Sequence, residues 1–221
     1  MLRGYCPAII ERPSHMSRAV RRQYDQAAER YDQRWTGYIR QTLDLLEARA
    51  EIGPDERVLD LACGTGAFIG RLIAKNPHQS VVGVDVSTGM LAEARRKLNE
   101  APNVQFLETG AAPLPLESDR FDVVVCASAL HYFRQTGDVL SEARRVLRPG
   151  GRMVLLDWDR GRWWMAALDA ILRVVDSAHH RTYTAAEIGK MLEDAGFVRH
   201  HVERHRGGVW GLALAMSVNG F

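Results

Sequence analysis

The stretch Val58-Leu59-Asp60-Leu61-Ala62-Cys63-Gly64-Thr65-Gly66 decides the architecture. Its first half is apolar, as a strand buried on both faces must be. Gly64 and Gly66 then allow a sharp turn, and Phe68, Ile69, Leu72, Ile73 and Ala74 follow at helical spacing until Pro77. Strand, tight turn and helix in that order place a ligand site outside the carboxyl end of the strand. The alternation continues downstream. Val81–Val86, Val104–Leu107, Phe121–Cys126 and Met153–Leu156 read as further strands, and helices are expected around Met90–Arg96 and over Val139, Leu140, Ala143 and Val146. Apolar strands alternating with amphipathic helices predict a doubly wound, Rossmann-like α/β fold with a mostly parallel sheet.

The flanking sequence departs from this rhythm. Residues 1–16 read as a flexible arm with Pro7 and Pro13, and residues 17–53 as an N-terminal helical cap. Residues 54–160 form the expected ligand-binding core of a single domain. Residues 161–221 hold a helix near 163–178, a helix capped by Thr184 with Glu187 three places on, and two strands near 199–205 and 209–218. So short a connection predicts an antiparallel hairpin. The helix near 163–178 has Trp164, Leu168, Ile171, Leu172 and Val175 at amphipathic spacing; a membrane surface is one use for it, but its mixed polar face points to core packing.

Composition excludes several classes. With 46% hydrophobic and 25% charged residues the chain is an ordinary globular one, and 29 basic against 27 acidic residues give no electrostatic reason to expect a nucleic-acid partner. Cys6, Cys63 and Cys126 are too scattered for zinc and too few for a disulfide framework, which points to a cytoplasmic protein with no metal. No apolar run reaches the roughly 18 residues of a membrane span. His179-His180-Arg181 and His200-His201 read as surface residues.

A glycine turn alone does not separate a nucleoside ligand from a dinucleotide. Asp85, 21 residues after Gly64, suits the ribose hydroxyls of either. Asp60 discriminates better, because a carboxylate before the glycines repels a pyrophosphate and attracts an ammonium group. Here the sequence resembles the class I S-adenosylmethionine-dependent methyltransferases, in their small-molecule branch. Val58–Gly66 is similar to the family's first motif, Val82-Gly83-Val84-Asp85-Val86-Ser87 with Met90-Leu91 to its second, and Phe121-Asp122-Val123-Val124 to its fourth strand. Arg145–Gly151 resembles the turn before the fifth strand, and Tyr24-Asp25 with Tyr31-Asp32 the family's N-terminal helix. The resemblance covers roughly residues 20–160. It implies a seven-stranded sheet whose last strand is antiparallel.

What the resemblance implies for the site follows residue by residue. Asp60, Gly64 and Gly66 would face the methionine half of S-adenosylmethionine, Asp85 the ribose, and Met90 the adenine. Gly110, Ala111 and Ala112 stand where the family commonly has an adenine-reading carboxylate, so backbone or Thr109 is expected to replace it. Tyr24 and Tyr31 would close the cofactor in, and Ala62, Val86, Ala127 and Leu130 would also contact it. Plainer readings exist: Asp60 as a loop brace, Met90 as core, the tyrosines as packing.

Methyl transfer from a sulfonium needs donor and acceptor held in line, and a base only for an acceptor that must lose a proton. His131, in Ser128-Ala129-Leu130-His131-Tyr132-Phe133, is the candidate base. Trp158, Trp163 and Trp164 suggest a small aromatic or apolar methyl acceptor, with Arg160 and Arg162 available for an anionic group. The expected partners are that acceptor and, at most, a second copy in a homodimer. Two alternatives stand: a cofactor-binding protein without catalysis, and a nicotinamide-dependent oxidoreductase, against which Asp60 and the closing hairpin argue.

Overall fold

The computed structural model describes residues 15–220; the arm expected over 1–16 therefore lies, but for its last two positions, outside the described residues. The chain folds as α1 (His15–Arg34), α2 (Thr36–Ala50), β1 (Val58–Leu61), α3 (Ala67–Lys75), β2 (Val81–Asp85), α4 (Thr88–Lys97), β3 (Val104–Glu108), β4 (Phe121–Ala127), α5 (Thr136–Val146), β5 (Leu147–Trp158), α6 (Trp163–Val175), α7 (Ala185–Asp194), β6 (Phe197–Gly207) and β7 (Trp210–Asn219). The seven strands form one sheet in the order β3-β2-β1-β4-β5-β7-β6. Parallel pairing joins β3 through β5, and only β7 runs against its neighbours. The fold expected from the sequence is therefore the fold observed.

Alternation along the central strands explains why the sheet is covered on both faces. Val124 and Cys126 of β4 pack with Leu140, Ala143, Ile188 and Leu192 of α5 and α7. Val123 and Val125 pack on the opposite face with Leu43 and Leu46 of α2 and Phe68, Ile69 and Leu72 of α3. Strand order reverses at β1, between β2 and β4, and that switch point opens a crevice at the carboxyl ends.

Three details differ from the sequence reading. β5 begins at Leu147, ahead of the Pro149-Gly150 turn, because Leu147 already pairs with Phe121; the register then shifts between Phe121 and Val123. α6 does not pack its stripe into the core, since Ile171, Val174 and Val175 are exposed and only Met165 and Asp169 are buried. His179 is not a surface residue: it is buried, with Nε2 bonded to Asp169 at 2.8 Å.

Candidate active site

β1 ends in a backbone conformation that few side chains favour. Ala62 has φ 58°, Gly64 53° and Gly66 71°. A Cβ on Gly64 would meet nothing within 4 Å, so it would project into the crevice, whereas one on Gly66 would press on Ala94 Cβ at 3.1 Å. Gly64 keeps the loop open to a ligand; Gly66 seats α4 against the start of α3. Asp85, at the end of β2, ties this loop to the next: its Oδ2 accepts the Gly64 N–H at 2.9 Å and its Oδ1 the Ser87 N–H at 2.8 Å. Burial raises the pKa of Asp85, against the lowering effect of those backbone donors.

Asp60 lies deeper. It is 3% exposed, and its Oδ2 has no hydrogen-bond partner. Burial, with the nearby Asp85 charge second, pushes its pKa from 3.8 to about 8. A buried carboxylate oxygen without a donor is costly. A cation delivered by a ligand at the mouth of β1 would satisfy it.

α1 lies across this edge of the sheet and is held there by acids. Asp25 Oδ1 accepts Ser87 Oγ–H at 2.6 Å and the Gly89 N–H at 2.8 Å. Asp32 Oδ1 accepts Thr65 Oγ1–H at 2.6 Å, and its Oδ2 pairs with Lys97 Nζ at 2.7 Å. Tyr24 and Tyr31, two turns apart on the same face, thereby look into the crevice. Val20, Tyr24 and Tyr31 form one wall with Tyr132 and Phe133; Ala62, Gly64, Val84, Asp85, Val86, Met90, Thr109 and Ala111 form the other, with Ala127, Ser128 and Ala129 between. Tyr24 Oη donates to Tyr132 Oη at 2.7 Å. Ser128 is held at φ 55°, its hydroxyl 2.7 Å from Tyr38 Oη, which also accepts Trp158 Nε1–H at 2.9 Å.

Comparison with known proteins fits this geometry. A family model described as a methyltransferase domain matches residues 58–151, the span from the first residue of β1 to the turn inside β5. The demethylmenaquinone methyltransferase of Thermus thermophilus is 40% identical over 128 residues, 58% of this chain and 55% of that protein. That of Symbiobacterium thermophilum is 33% identical over 169 residues, 71% and 64% of the two chains. The chain belongs to the class I S-adenosylmethionine-dependent methyltransferase family. The phosphoethanolamine N-methyltransferase 2 of Haemonchus contortus, solved with S-adenosylhomocysteine and phosphomonomethylethanolamine, shares the fold at a TM-score of 0.77 and 16% identity, covering 96% of this chain and 62% of that one. The chain spans about half the length of the curated relatives it matches.

Within this methyltransferase fold the sequence-predicted residues divide. Tyr24, Tyr31, Ala62, Gly64, Asp85, Val86, Met90, Ala111 and Ala127 line the crevice together. Asp60 and Gly66 do not line it, and Gly110 and Ala112 flank Ala111 without lining the space. Leu130 and His131 depart from expectation. Residues Leu130–Tyr132 form a single 3-10 turn whose buried side carries both, so Ser128, Ala129, Tyr132 and Phe133 reach the crevice and Leu130 and His131 do not. His131 is 1% exposed, stacks on Trp158 at 4.4 Å, and gives its Nδ1 to Asp157 Oδ1 at 2.6 Å. Asp157 also accepts the Leu130 and Trp158 N–H groups, so the pair braces the turn.

The aromatic lining is also not the one foreseen. Trp158 stacks on Trp210 at 4.9 Å, Trp163 is 80% exposed, and Trp164 Nε1 donates to the Val209 carbonyl. Arg160 pairs with Glu187, and Arg162 lies over the Trp164 ring. The lining residues that the sequence did not point to are Val20 and Val84; Ser128, Ala129, Tyr132 and Phe133 belong to the stretch expected at the crevice. The i, i+4 spacing of Val20 and Tyr24 puts both on one face of α1 and is the signal that could have found Val20.

Proposed function

We propose that this chain transfers the methyl group of S-adenosylmethionine to a small, uncharged, aromatic or apolar molecule. One observation carries the reading: the glycine-loop wall and the tyrosine–phenylalanine wall enclose a crevice in which, among the described residues, Asp85 is the only charged lining residue. The relatives named as demethylmenaquinone methyltransferases support an apolar acceptor.

The residues fit the cofactor. Asp85, with two backbone donors already fixing its orientation, would accept from the ribose hydroxyls. The unpartnered Oδ2 of Asp60 would take the ammonium of the methionine half. Met90, Thr109 and Ala111 would border the adenine, and Tyr24 and Tyr31 would cover the cofactor from α1. S-adenosylmethionine supplies an electrophilic methyl and a neutral thioether leaving group. The chain's task is then to orient the acceptor and exclude water, for which Val20, Tyr132 and Phe133 are placed. Tyr132 accepts from Tyr24 and keeps its own proton, which leaves it free to donate to an acceptor oxygen. His131 acts through the turn it braces, as a positioning residue.

Titration calorimetry with S-adenosylmethionine, S-adenosylhomocysteine and NAD tests the cofactor. Binding of the two adenosyl ligands, lost in Asp85→Ala, is expected; binding of NAD alone would move the protein to the oxidoreductases. Methyl transfer to a panel of quinols and phenols then tests the reaction. Cofactor binding with no turnover on any member would favour a non-catalytic binding protein.

A further inference from the structure

α6 presents to solvent what an amphipathic helix ordinarily buries. Trp163 is 80% exposed, Ile171 58%, Val174 85% and Val175 71%. Positions 163, 167, 170, 171 and 174 fall on one side of a 3.6-residue helix, and exposed Ala167 and Ala170 complete that stripe without a charge. It runs about 17 Å at a rise of ~1.5 Å per residue. Val209, 71% exposed at the tip of the β6–β7 turn, extends it: Trp164 Nε1 donates to the Val209 carbonyl at 3.1 Å. These two neighbouring elements hold five of the six large apolar side chains exposed among the described residues, a concentration that scattered surface residues do not show.

The margin of the stripe is basic. Arg162 precedes α6 with its guanidinium 5.1 Å from the Trp164 ring centre. Arg206 is exposed beside the turn, donating to the Gly208 carbonyl at 3.0 Å, and Arg173 lies on the same flank of α6 as Arg162. Asp169 is buried and pairs with Arg173 itself, besides bonding His179 and Thr182, so Arg162 and Arg206 carry the charge of this margin; Asp176 accepts from Gln23 and the Ala178 N–H. We infer that α6 and the β6–β7 turn dock on the surface of an anionic phospholipid bilayer. Tryptophan at the edge of an uncharged stripe, with arginines alongside, suits the boundary between headgroups and acyl chains. A second copy of this chain suits the face less well, because pairing it with itself would bring arginine margins together with no exposed acid in the stripe to meet them.

The placement has a functional consequence, which rests on the proposed methyl transfer. The end of α6 is joined to α1 by Gln23 Nε2 donating to Asp176 Oδ2 at 3.4 Å, and Val20 and Tyr24 on that same part of α1 line the crevice. Docking through α6 would set the acceptor wall near the bilayer, where apolar molecules concentrate.

Co-sedimentation with vesicles tests the docking without any cofactor or acceptor. The full chain is expected to pellet with phosphatidylglycerol–phosphatidylcholine vesicles and to remain in solution with phosphatidylcholine alone. Trp163→Ser combined with Val174→Ser is expected to weaken partitioning about tenfold, from the apolar area lost. The circular dichroism spectrum and S-adenosylhomocysteine binding should stay at wild-type levels, because both side chains are exposed. Arg162→Glu with Arg206→Glu should weaken it as well. Wild-type protein that stays in the supernatant, equal binding to neutral vesicles, or undiminished binding of the Ser variant would each overturn the inference. So would a wild-type dimer that the Ser variant converts to monomer while neither binds vesicles. Methyl transfer in detergent-free solution is a separate readout, so failure of docking leaves the reaction itself unaffected.

Discussion

Asp60 concentrates the tension between stability and binding in one side chain. Its folded pKa, raised from 3.8 to about 8 chiefly by burial, means that the folded protein holds a proton that the unfolded chain has lost between those values. Stability of the ligand-free protein attributable to this group is therefore full below about pH 4, falls as pH rises, and is lowest above about pH 8. Asp60→Asn removes the charge and should stabilise the free protein at pH 8 by about 1–3 kcal/mol in urea unfolding, the scale of an unsatisfied buried polar group. The same variant should bind S-adenosylhomocysteine more weakly. An Asn variant that is no more stable at pH 8, or that binds undiminished, would deny the carboxylate this role. His131 makes the complementary case. His131→Ala breaks the buried brace with Asp157 and should lower stability by about 3 kcal/mol. His131→Asn, whose amide can still donate to Asp157, should recover part of the loss and of the turnover. A base would not be rescued by asparagine, so equal turnover loss in both variants would restore the histidine as a proton acceptor.

Elements differ in how firmly they are held, and this decides how much of them the sequence could reveal. β1, β2 and β4 are apolar runs between turns, and the Thr184–Glu187 capping box starts α7 as its residues imply. Local chemistry alone specifies these. α1 is different. Ala28 is its one buried side chain among the described residues, and its position depends on Asp25 and Asp32 meeting partners more than thirty residues away. The paired Tyr-Asp steps showed which residues mattered; the donors they meet became visible only in three dimensions. The amphipathic spacing of α6 was equally legible, but periodicity does not say whether a stripe faces core or solvent. The turn after β4 hides its geometry for a related reason: the sequence of a loop does not say which of its residues face a ligand, and the 3-10 turn takes His131 inward. The latch of α1 gives a direct prediction. Asp25→Ala removes two hydrogen bonds, each netting about 0.5–1.5 kcal/mol, and should raise the dissociation constant for S-adenosylhomocysteine about tenfold with little change in unfolding midpoint. A large drop in midpoint with unchanged affinity would make α1 a structural element of the core instead of a cover.

At the scale of the whole molecule the sheet and its covers form two tiers of stability. β1, β4 and β5 are central, paired on both sides and sealed by helices on both faces, so their amides should exchange with solvent only on global unfolding. α1 rests on half-exposed side chains and a few polar contacts, which places it at the weak end of the same scale. Ligand binding stabilises the native state by about 2.7 kcal/mol when the free ligand is at 100 times its dissociation constant. For a chain of this size each kcal/mol moves the melting temperature by roughly 2–4 °C. S-adenosylhomocysteine at that excess should therefore raise the melting temperature by about 5–10 °C. Hydrogen exchange would show where the gain is local. Amides of α1 and of the loop from Ala62 to Gly66 should slow most, since the ligand would bridge the two, and Asp85→Ala should abolish both the slowing and the thermal shift. Uniform slowing across the sheet with α1 still exchanging freely would mean that the ligand binds beneath an element that does not close on it, and the cover formed by Tyr24 and Tyr31 would have no part in holding the cofactor.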